Sequence, residues 1–130
     1  KLKVSANLPV ANGNSFIGQT SSIDINLIKV ILFSDTDHIL PVKINNFFCN
    51  AKGAGKPLLI SCKAIKNPEF LKIRNNDPVF TSGLGGVFPK NISIGRVINI
   101  NNSISNESKI TIALDASPLE SNYFGVLINL

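Results

Sequence analysis

Charged residues are scarce in this sequence: they make up 16% of its 130 residues, whereas 44% are apolar. Such a composition excludes a disordered chain, which would lack the apolar surface needed to offset the entropy of ordering. Long charged helix formers are in short supply, while Ile, Val and Asn are abundant, which favours strands and turns. A chain of this length buries roughly two-thirds of its unfolded surface. We therefore expect one compact unit, or two small barrels that share an interface.

Aromatic residues are also few, at 7%, and they do not interleave with basic runs as a nucleic-acid stacking surface would require. The net charge of +5 is the balance of 13 Lys and Arg against 8 Asp and Glu, and the basic residues are spread along the chain. We therefore expect no nucleic-acid binding. A mild, non-specific attraction to anionic lipid headgroups or wall polymers fits the charge better.

The sequence has no initiator methionine, no signal peptide and no apolar run of membrane-spanning length. It begins at Lys1-Leu2-Lys3, inside a predicted strand. We therefore expect this chain to be a soluble portion of a longer protein.

Residues that could catalyse a reaction or bind a metal are sparse. His38 is the single histidine, with Asp35 and Asp37 beside it. A Ser-His-Asp hydrolase also needs a nucleophile and an oxyanion hole, and the run 34–38 has the composition of a polar turn in which Asp caps backbone N–H groups. The two aspartates lack the Gly and distal Glu of a calcium loop. The sequence predicts no catalytic residue, metal or cofactor, with a hydrolase that uses His38 as the alternative.

The two cysteines, Cys49 and Cys62, flank a turn with the sequence GAGKP at residues 53–57. A hairpin centred on this turn would place them opposite each other, so a cross-strand disulfide is feasible in an oxidising compartment. Two buried free thiols fit the sequence equally well, because Cys packs as a small apolar residue. The spacing fits no zinc site.

Short apolar runs separated by turns predict strands along the chain, and no stretch sustains a period of 3.6 residues. Residues 25–33 (INLIKVILF) are apolar on both faces, which predicts a strand buried on both sides. Residues 108–114 alternate cleanly and should place Ile110, Ile112 and Leu114 inward. The pattern is typical of an all-β barrel or sandwich.

Arg96 lies in another alternating run, residues 92–100. Strict alternation would place it on the same face as Ile94 and Ile98. An arginine on an apolar face is either paired with a carboxylate of a neighbouring strand or placed at an interface, and the ion pair is the favoured alternative.

One segment is unusual: residues 76–96, with the sequence NDPVFTSGLGGVFPKNISIGR. It holds three glycines within four residues, followed by Phe88 and Pro89. Glycines this close indicate backbone that needs positive φ or a close approach to another segment. Pro89 fixes φ and lacks an N–H, so a strand ladder cannot run through it except at an edge. We predict a long, shaped hairpin loop with Phe88 at or near its tip.

Two interpretations of this loop remain open. In one, a rigid loop presents Phe88 to a partner or ligand. In the other, a barrel strand turns a corner and Phe88 folds back into the core, which the use of Gly and bulges at barrel corners favours. A phosphate-binding loop is excluded, because the spaced Gly-Lys-Ser/Thr is missing and no helix follows.

The same residues carry a family resemblance. Residues 81–89 (TSGLGGVFP) and 94–97 (IGRV) resemble the signature of the bacterial rod-shape-determining MreC family. Residues 76–79 (NDPV), 34–42 (SDTDHILPV) and 17–19 (IGQ) are similar to further motifs of that family.

Three positions depart from the family pattern. Asn76 and Asn91 stand where the family usually has Gly, and Ser93 stands where it often has Pro. Asn is the non-glycine residue that best tolerates the left-handed region, so both changes to Asn are mild.

The resemblance implies a fold of two small six-stranded-type antiparallel β-barrels packed side by side, with a boundary near residues 35–41. Residues 1–40 would form the first barrel in part, incomplete if strands lie outside this chain. Residues 41–130 would form the second barrel, with the C-terminal strands as candidates to return to the first.

The resemblance also implies a function. The chain would be part of a non-enzymatic scaffold of the cell-elongation complex that organises peptidoglycan synthesis and cell shape. Expected partners are a class B penicillin-binding transpeptidase, MreD, RodA and the MreB system, together with self-association into dimers or filaments. The location would be the extracytoplasmic face of the bacterial inner membrane, with a single-pass anchor outside this chain.

The candidate partner contacts are the loop motif and the start of the next strand: Thr81, Ser82, Gly83, Gly85, Gly86, Phe88, Pro89, Gly95 and Arg96. Besides the hydrolase, a second alternative function is a module that binds wall polymers or lipids. Its binding should weaken steeply with salt.

Overall fold

The computed structural model describes residues 7–12, 15–24, 27–65, 67–102, 107–115 and 125–126. The described strands are β1 (Pro9–Asn12), β2 (Ser15–Asp24), β3 (Leu27–Leu32), β4 (Ile39–Ile44), β5 (Phe47–Gly53), β6 (Leu59–Ile65), β7 (Pro78–Thr81), β8 (Ser93–Asn102), β9 (Glu107–Leu114) and β10 (Gly125–Val126). A single helical turn, α1 (Pro68–Leu71), follows β6. The all-β prediction is confirmed.

The strands form a closed six-stranded barrel and a four-stranded sheet. The barrel order is β4-β5-β6-β9-β8-β7, and the sheet order is β10-β1-β2-β3, with antiparallel neighbours throughout. Of the two barrels that the resemblance implies, the described residues complete one, and the remaining strands form the sheet. The chain passes from sheet to barrel through residues 33–38, and β10 brings it back to β1.

Alternation along the barrel strands fills the interior. On β4, Leu40, Val42 and Ile44 are buried while their neighbours face outward. On β9, Ile110 and Ile112 are fully buried and Leu114 packs against the core, so the predicted inward set is confirmed. Buried aliphatic side chains of this size contribute roughly 1.5–3 kcal/mol each, which makes this interior the main stabilising element.

Helix α1 packs its one buried side chain against the barrel. The side chain of Asn67 caps the helix by accepting a hydrogen bond from the Phe70 N–H at 2.8 Å. Phe70 then packs edge-to-face on Phe47 of β5, with ring centres 5.8 Å apart. Among the described residues, no helix has the length and apolar character needed to cross a membrane.

The prediction that residues 25–33 form a strand buried on both sides is wrong. Residues 25 and 26 lie outside the described part of the chain. The rest forms β3, which is the last strand of its sheet, with Leu27 66% and Ile28 43% exposed. An apolar run indicates a strand, but its sequence does not tell whether another strand or layer covers it.

The predicted face of Arg96 is also wrong in part. The ladder between β7 and β8 pairs Val79 with Gly95 and Phe80 with Ser93, so that Ile94 is an extra residue. A bulge of this kind shifts the alternation by one position. Ile94 therefore points inward, while Arg96 is exposed on the outer surface, where it forms no ion pair with another described residue.

Candidate functional site

The loop between β7 and β8, residues 82–92, is closed at its base by one threonine. The backbone N–H of Thr81 donates to Ile92 O at 2.9 Å, and Asn91 N–H donates to Thr81 O at 2.8 Å. The Thr81 hydroxyl donates to Pro89 O and accepts from the Ile92 N–H at 2.9 Å. Thr81 is buried, so these bonds are shielded from water. The base of the loop is therefore fixed.

The three loop glycines adopt the left-handed backbone that the sequence predicts. Gly83 and Gly85 have φ of +81°, and Gly86 has φ of +75°. At Gly83 the space is restricted as well, because an added Cβ would lie 2.8 Å from Lys90 Cβ. Asn76 and Asn91, at the two positions where the resemblance leads us to expect Gly, also have positive φ, 74° and 65°. These Asn residues therefore keep the backbone shape.

This backbone directs two apolar side chains of the loop in opposite directions. Phe88 is 6% exposed, whereas Leu84 is 61% exposed. Phe88 packs edge-to-face on Phe16 of β2 and on Phe33, with ring centres 5.4 and 5.3 Å apart. Of the two interpretations of the loop, the one in which Phe88 folds back into the core is therefore correct. The alternative, in which the loop presents Phe88 to a partner, is wrong because the ring is buried. The barrel loop is joined to the sheet through this aromatic cluster of Phe16, Phe33 and Phe88.

His38 lies at the edge of the aromatic cluster and is buried. Its ring centre is 5.3 Å from that of Phe33, and its Nε2 is 2.8 Å from Gln19 Oε1. Because the Gln19 amide donates to Asn7 Oδ1, its oxygen faces the ring and His38 Nε2 is the donor. Nδ1 is then an acceptor that has no partner in the described chain. Burial lowers the pKa of His38, and the nearby Asp35 carboxylate partly opposes this shift.

We expect the neutral form of His38 to make stability depend on pH. Because the folded pKa lies below the ordinary value of 6.5, the unfolded chain binds a proton more readily. The contribution of neutral His38 to the free energy of unfolding is therefore complete above about pH 6.5. It is lost as the pH falls below that value, and the free energy of unfolding then drops by at most about 1.4 kcal/mol per pH unit. Urea unfolding between pH 8 and 5 should show this slope in the wild type and a smaller slope in His38→Gln. Equal slopes would contradict the assignment.

Cys49 and Cys62 form a disulfide, with Cα atoms 6.2 Å apart. The ladder between β5 and β6 pairs Lys52 with Ser61 and Gly53 with Ile60, next to the hairpin turn. The disulfide joins the same two strands farther from that turn. Of the two alternatives for the cysteines, the structure contains the bonded one.

The outer surface of the barrel carries a row of three side chains across neighbouring strands. Lys43 on β4 is opposite Phe48 on β5 and opposite Phe80 on β7. Phe48 is 53% exposed and Phe80 is partly exposed. The Lys43 ammonium lies 5.8 Å from the centre of the Phe48 ring, within cation–π range. The barrel therefore presents a cation between two aromatic rings.

The tip of the β7–β8 loop borders this row. Ser82 N–H donates to Pro41 O at 3.2 Å, and a Cβ placed on Gly85 would lie 3.9 Å from Pro41 Cγ. Pro41 shares the outward side of β4 with Lys43, and the exposed Leu84 precedes Gly85. We call this surface the β4 face; it comprises Ile39, Pro41, Lys43, Phe48, Phe80 and Leu84.

The predicted site residues divide between interior and surface. Thr81, Phe88 and Gly95 are buried, and a Cβ on Gly95 would lie 2.1 Å from Ala113 O. Pro89 and Arg96 are exposed, with Arg96 opposite Pro78 on the outer surface. The described residues contain no group of three or more His, Cys, Asp or Glu side chains that could hold a metal ion.

The residues of the β4 face were missed by the sequence reasoning. The available signal was the alternation of β4 itself. Because Leu40, Val42 and Ile44 point inward, Ile39, Pro41 and Lys43 must point outward. The cross-strand partners Phe48 and Phe80 depend on strand register, which the sequence does not specify.

Comparison with known proteins gives a consistent result. The model of the family "Rod shape-determining protein MreC, barrel core" matches residues 1–127. The cell shape-determining protein MreC of Haemophilus influenzae is 30% identical over 122 residues, which cover 92% of this chain and 34% of the relative. The chain thus spans about a third of that protein's length. The relative's name describes a role in cell shape and no catalytic reaction.

Solved structures show the same fold. The crystal structure of MreC from Pseudomonas aeruginosa matches with a TM-score of 0.83 and 22% identity, over 96% of this chain and 81% of that one. A complex between penicillin-binding protein PBP2 and MreC from Helicobacter pylori matches with a TM-score of 0.65 and 19% identity, over 94% of this chain and 76% of that one.

Proposed function

The chain belongs to the MreC family of rod shape-determining proteins, and from this we propose that it serves as a non-enzymatic scaffold for peptidoglycan synthesis during cell elongation. In this role it binds a class B penicillin-binding transpeptidase. One observation carries the proposal: a relative with the same fold, from H. pylori, forms a complex with a penicillin-binding protein.

The architecture supports a scaffold that binds through side chains. Among the described residues, each of the six barrel strands is hydrogen-bonded to a neighbouring strand on either side, so none of them is an edge strand of the kind to which a partner strand is added. The barrel exterior nevertheless carries large exposed apolar side chains, among them Phe48 and Leu84. Exposed aromatic and aliphatic groups clustered on a rigid surface are typical of protein interfaces.

The environment of His38 argues against the hydrolase alternative. The ring is buried, and its Nε2 is bonded to the amide oxygen of Gln19 rather than to a hydroxyl nucleophile. A general base needs access to the proton that it abstracts, and His38 is only 4% exposed. His38 is better explained as part of the contact between sheet and barrel.

The proposed location is the extracytoplasmic face of the inner membrane. The disulfide between Cys49 and Cys62 supports it, because such bonds persist in oxidising compartments. The family resemblance extends the proposal in three ways. The full-length protein is held by a single-pass anchor outside this chain, it associates with itself, and its further complex members are MreD, RodA and MreB.

The test is a calorimetric titration of this chain with the periplasmic domain of the host's class B penicillin-binding protein. We expect saturable binding with a defined stoichiometry. A longer soluble version of the protein, titrated in parallel, separates a site within residues 1–130 from one elsewhere. Failure of both to bind would contradict the proposal. Binding to anionic lipid vesicles or wall polymer that falls steeply with salt, without transpeptidase binding, would favour the polymer or lipid module.

A further inference from the structure

We propose that the β4 face is where the penicillin-binding protein docks, with Lys43 receiving a carboxylate of the partner between the rings of Phe48 and Phe80. This inference rests on the proposed function, because it assigns a surface to the same partner. The occupant is accordingly a folded protein surface that presents an acidic side chain flanked by apolar ones.

The first step is the exposure of the two rings. Phe48 projects from a closed barrel with half of its side chain in water, although the neighbouring Phe47 is buried in the core. Phe80 also faces outward, since Val79 and Thr81 beside it are buried. Aromatic residues at the centre of an interface dominate binding energy when a partner removes them from water. Two rings on either side of one cation form such a centre.

The second step is the charge. Lys43 forms no ion pair with any described residue. The nearby Asp77 is already engaged, because its Oδ2 accepts hydrogen bonds from Asn45 Nδ2 at 3.0 Å and Arg74 N–H at 2.8 Å. On β8, Ser93 is paired with Phe80 in the ladder and donates to Asp115 Oδ2 at 3.2 Å, so this carboxylate is engaged as well. The cation thus remains available, and a partner carboxylate complements it.

The third step is space for that carboxylate. A recess of about 250 Å³ lies beside the row and is lined by Lys43, Asn45, Phe80 and Asn91. Lys43 supplies an ammonium group and Asn91 an amide group, which are donors to a carboxylate, and Phe80 gives one apolar side, while the Asn45 amide already donates to Asp77. A partner's Asp or Glu side chain fits this chemistry, while its apolar neighbours would cover Phe48 and Phe80.

The fourth step is rigidity. The three side chains of the row stand on directly paired residues of β5, β4 and β7. The loop tip with Leu84 is attached to β4 through the bond from Ser82 N–H to Pro41 O. A surface held in this way loses little conformational freedom when a partner binds.

A second exposed apolar region is on β3, where Leu27 and Ile28 lie at the edge of the sheet, while Leu71 and Ile98 are exposed elsewhere. A partner on β3 would add a strand through backbone hydrogen bonds and would cover the exposed Leu27 side chain, which is a different mode of docking. Leu27→Ala therefore serves as the apolar control that separates the two surfaces. Lys109→Glu serves as the charge control, because exposed Lys109 is on β9, on the opposite side of the barrel order from β4.

The experiment measures the dissociation constant of the transpeptidase's periplasmic domain for the wild type, Phe48→Ala, Phe80→Ala, Lys43→Glu and the two controls, with thermal unfolding of each. We expect each β4-face variant to bind about tenfold more weakly or worse, and both controls to bind like the wild type. Lys43→Glu should also reverse the salt dependence. Because Phe80 is partly buried, Lys43→Glu and Phe48→Ala decide the outcome if Phe80→Ala unfolds.

If the wild type binds and both Lys43→Glu and Phe48→Ala bind with the same affinity, this inference is overturned and the proposed function is left intact. Loss of binding in Leu27→Ala alone would move the site to the sheet edge and overturn it as well. Absence of binding by the wild type would overturn the proposed function, and this inference with it.

Discussion

Phe88→Ala is expected to lower the free energy of unfolding by roughly 3–5 kcal/mol, the range for truncating a buried phenylalanine. The ring is 6% exposed and contacts Phe16 and Phe33 edge-to-face. Its removal would leave a cavity between barrel and sheet and would also delete two aromatic contacts, each contributing about 0.5–1.5 kcal/mol beyond burial. Urea denaturation followed by circular dichroism measures the loss.

The matched control is Phe48→Ala, which removes the same atoms from a site that is 53% exposed. It should cost well under half as much stability, because less area returns to water. A double-mutant cycle of Phe88→Ala with Phe33→Ala should show coupling, since the two rings are in contact. A loss below about 1 kcal/mol for Phe88→Ala would mean that Phe88 does not join the barrel to the sheet.

Removal of the disulfide is expected to cost about 3 kcal/mol, through the loop that it closes in the unfolded chain. Cys49 and Cys62 are 13 residues apart in sequence, and Cys62 is fully buried. The double variant Cys49→Ala/Cys62→Ala should therefore unfold at lower urea concentration than the oxidised wild type.

Reductant provides the control for the disulfide. Dithiothreitol should shift the wild-type transition toward that of the double variant and should leave the double variant unchanged. If the wild type does not respond to reductant and its stability equals that of the double variant, the two cysteines are not bonded in solution.

The local backbone is the part of the loop that the sequence predicted well. The close spacing of Gly83, Gly85 and Gly86 indicated positive φ, and all three adopt it. Asn91 follows the same rule. These outcomes depend on the sterics of one residue and its neighbours, so sequence alone suffices.

The direction of side chains was less predictable, because it depends on register and on what lies across the molecule. Phe88 turns inward since the sheet places Phe16 and Phe33 beside the loop, and nothing in residues 76–96 encodes that proximity. Arg96 faces out because an extra residue at Ile94 shifts the alternation of β8. Both outcomes are set by tertiary contacts.

The two exposed faces have different chemical character. On the barrel, Phe48, Lys43 and Phe80 stand on paired strands and present side chains. On the sheet, β3 ends the strand order and presents backbone. Within the loop that carries the family motif, buried Thr81 fixes the base, while the exposed Leu84 borders the β4 face.

Hydrogen–deuterium exchange of the wild-type chain, alone and saturated with the transpeptidase's periplasmic domain, tests the central claim most directly. The account predicts slower amide exchange in the turn at Asn45 and Asn46 and in residues 83–87, with residues 27–32 unchanged. Slower exchange confined to residues 27–32, or unchanged exchange at the β4 face in the saturated complex, would contradict it.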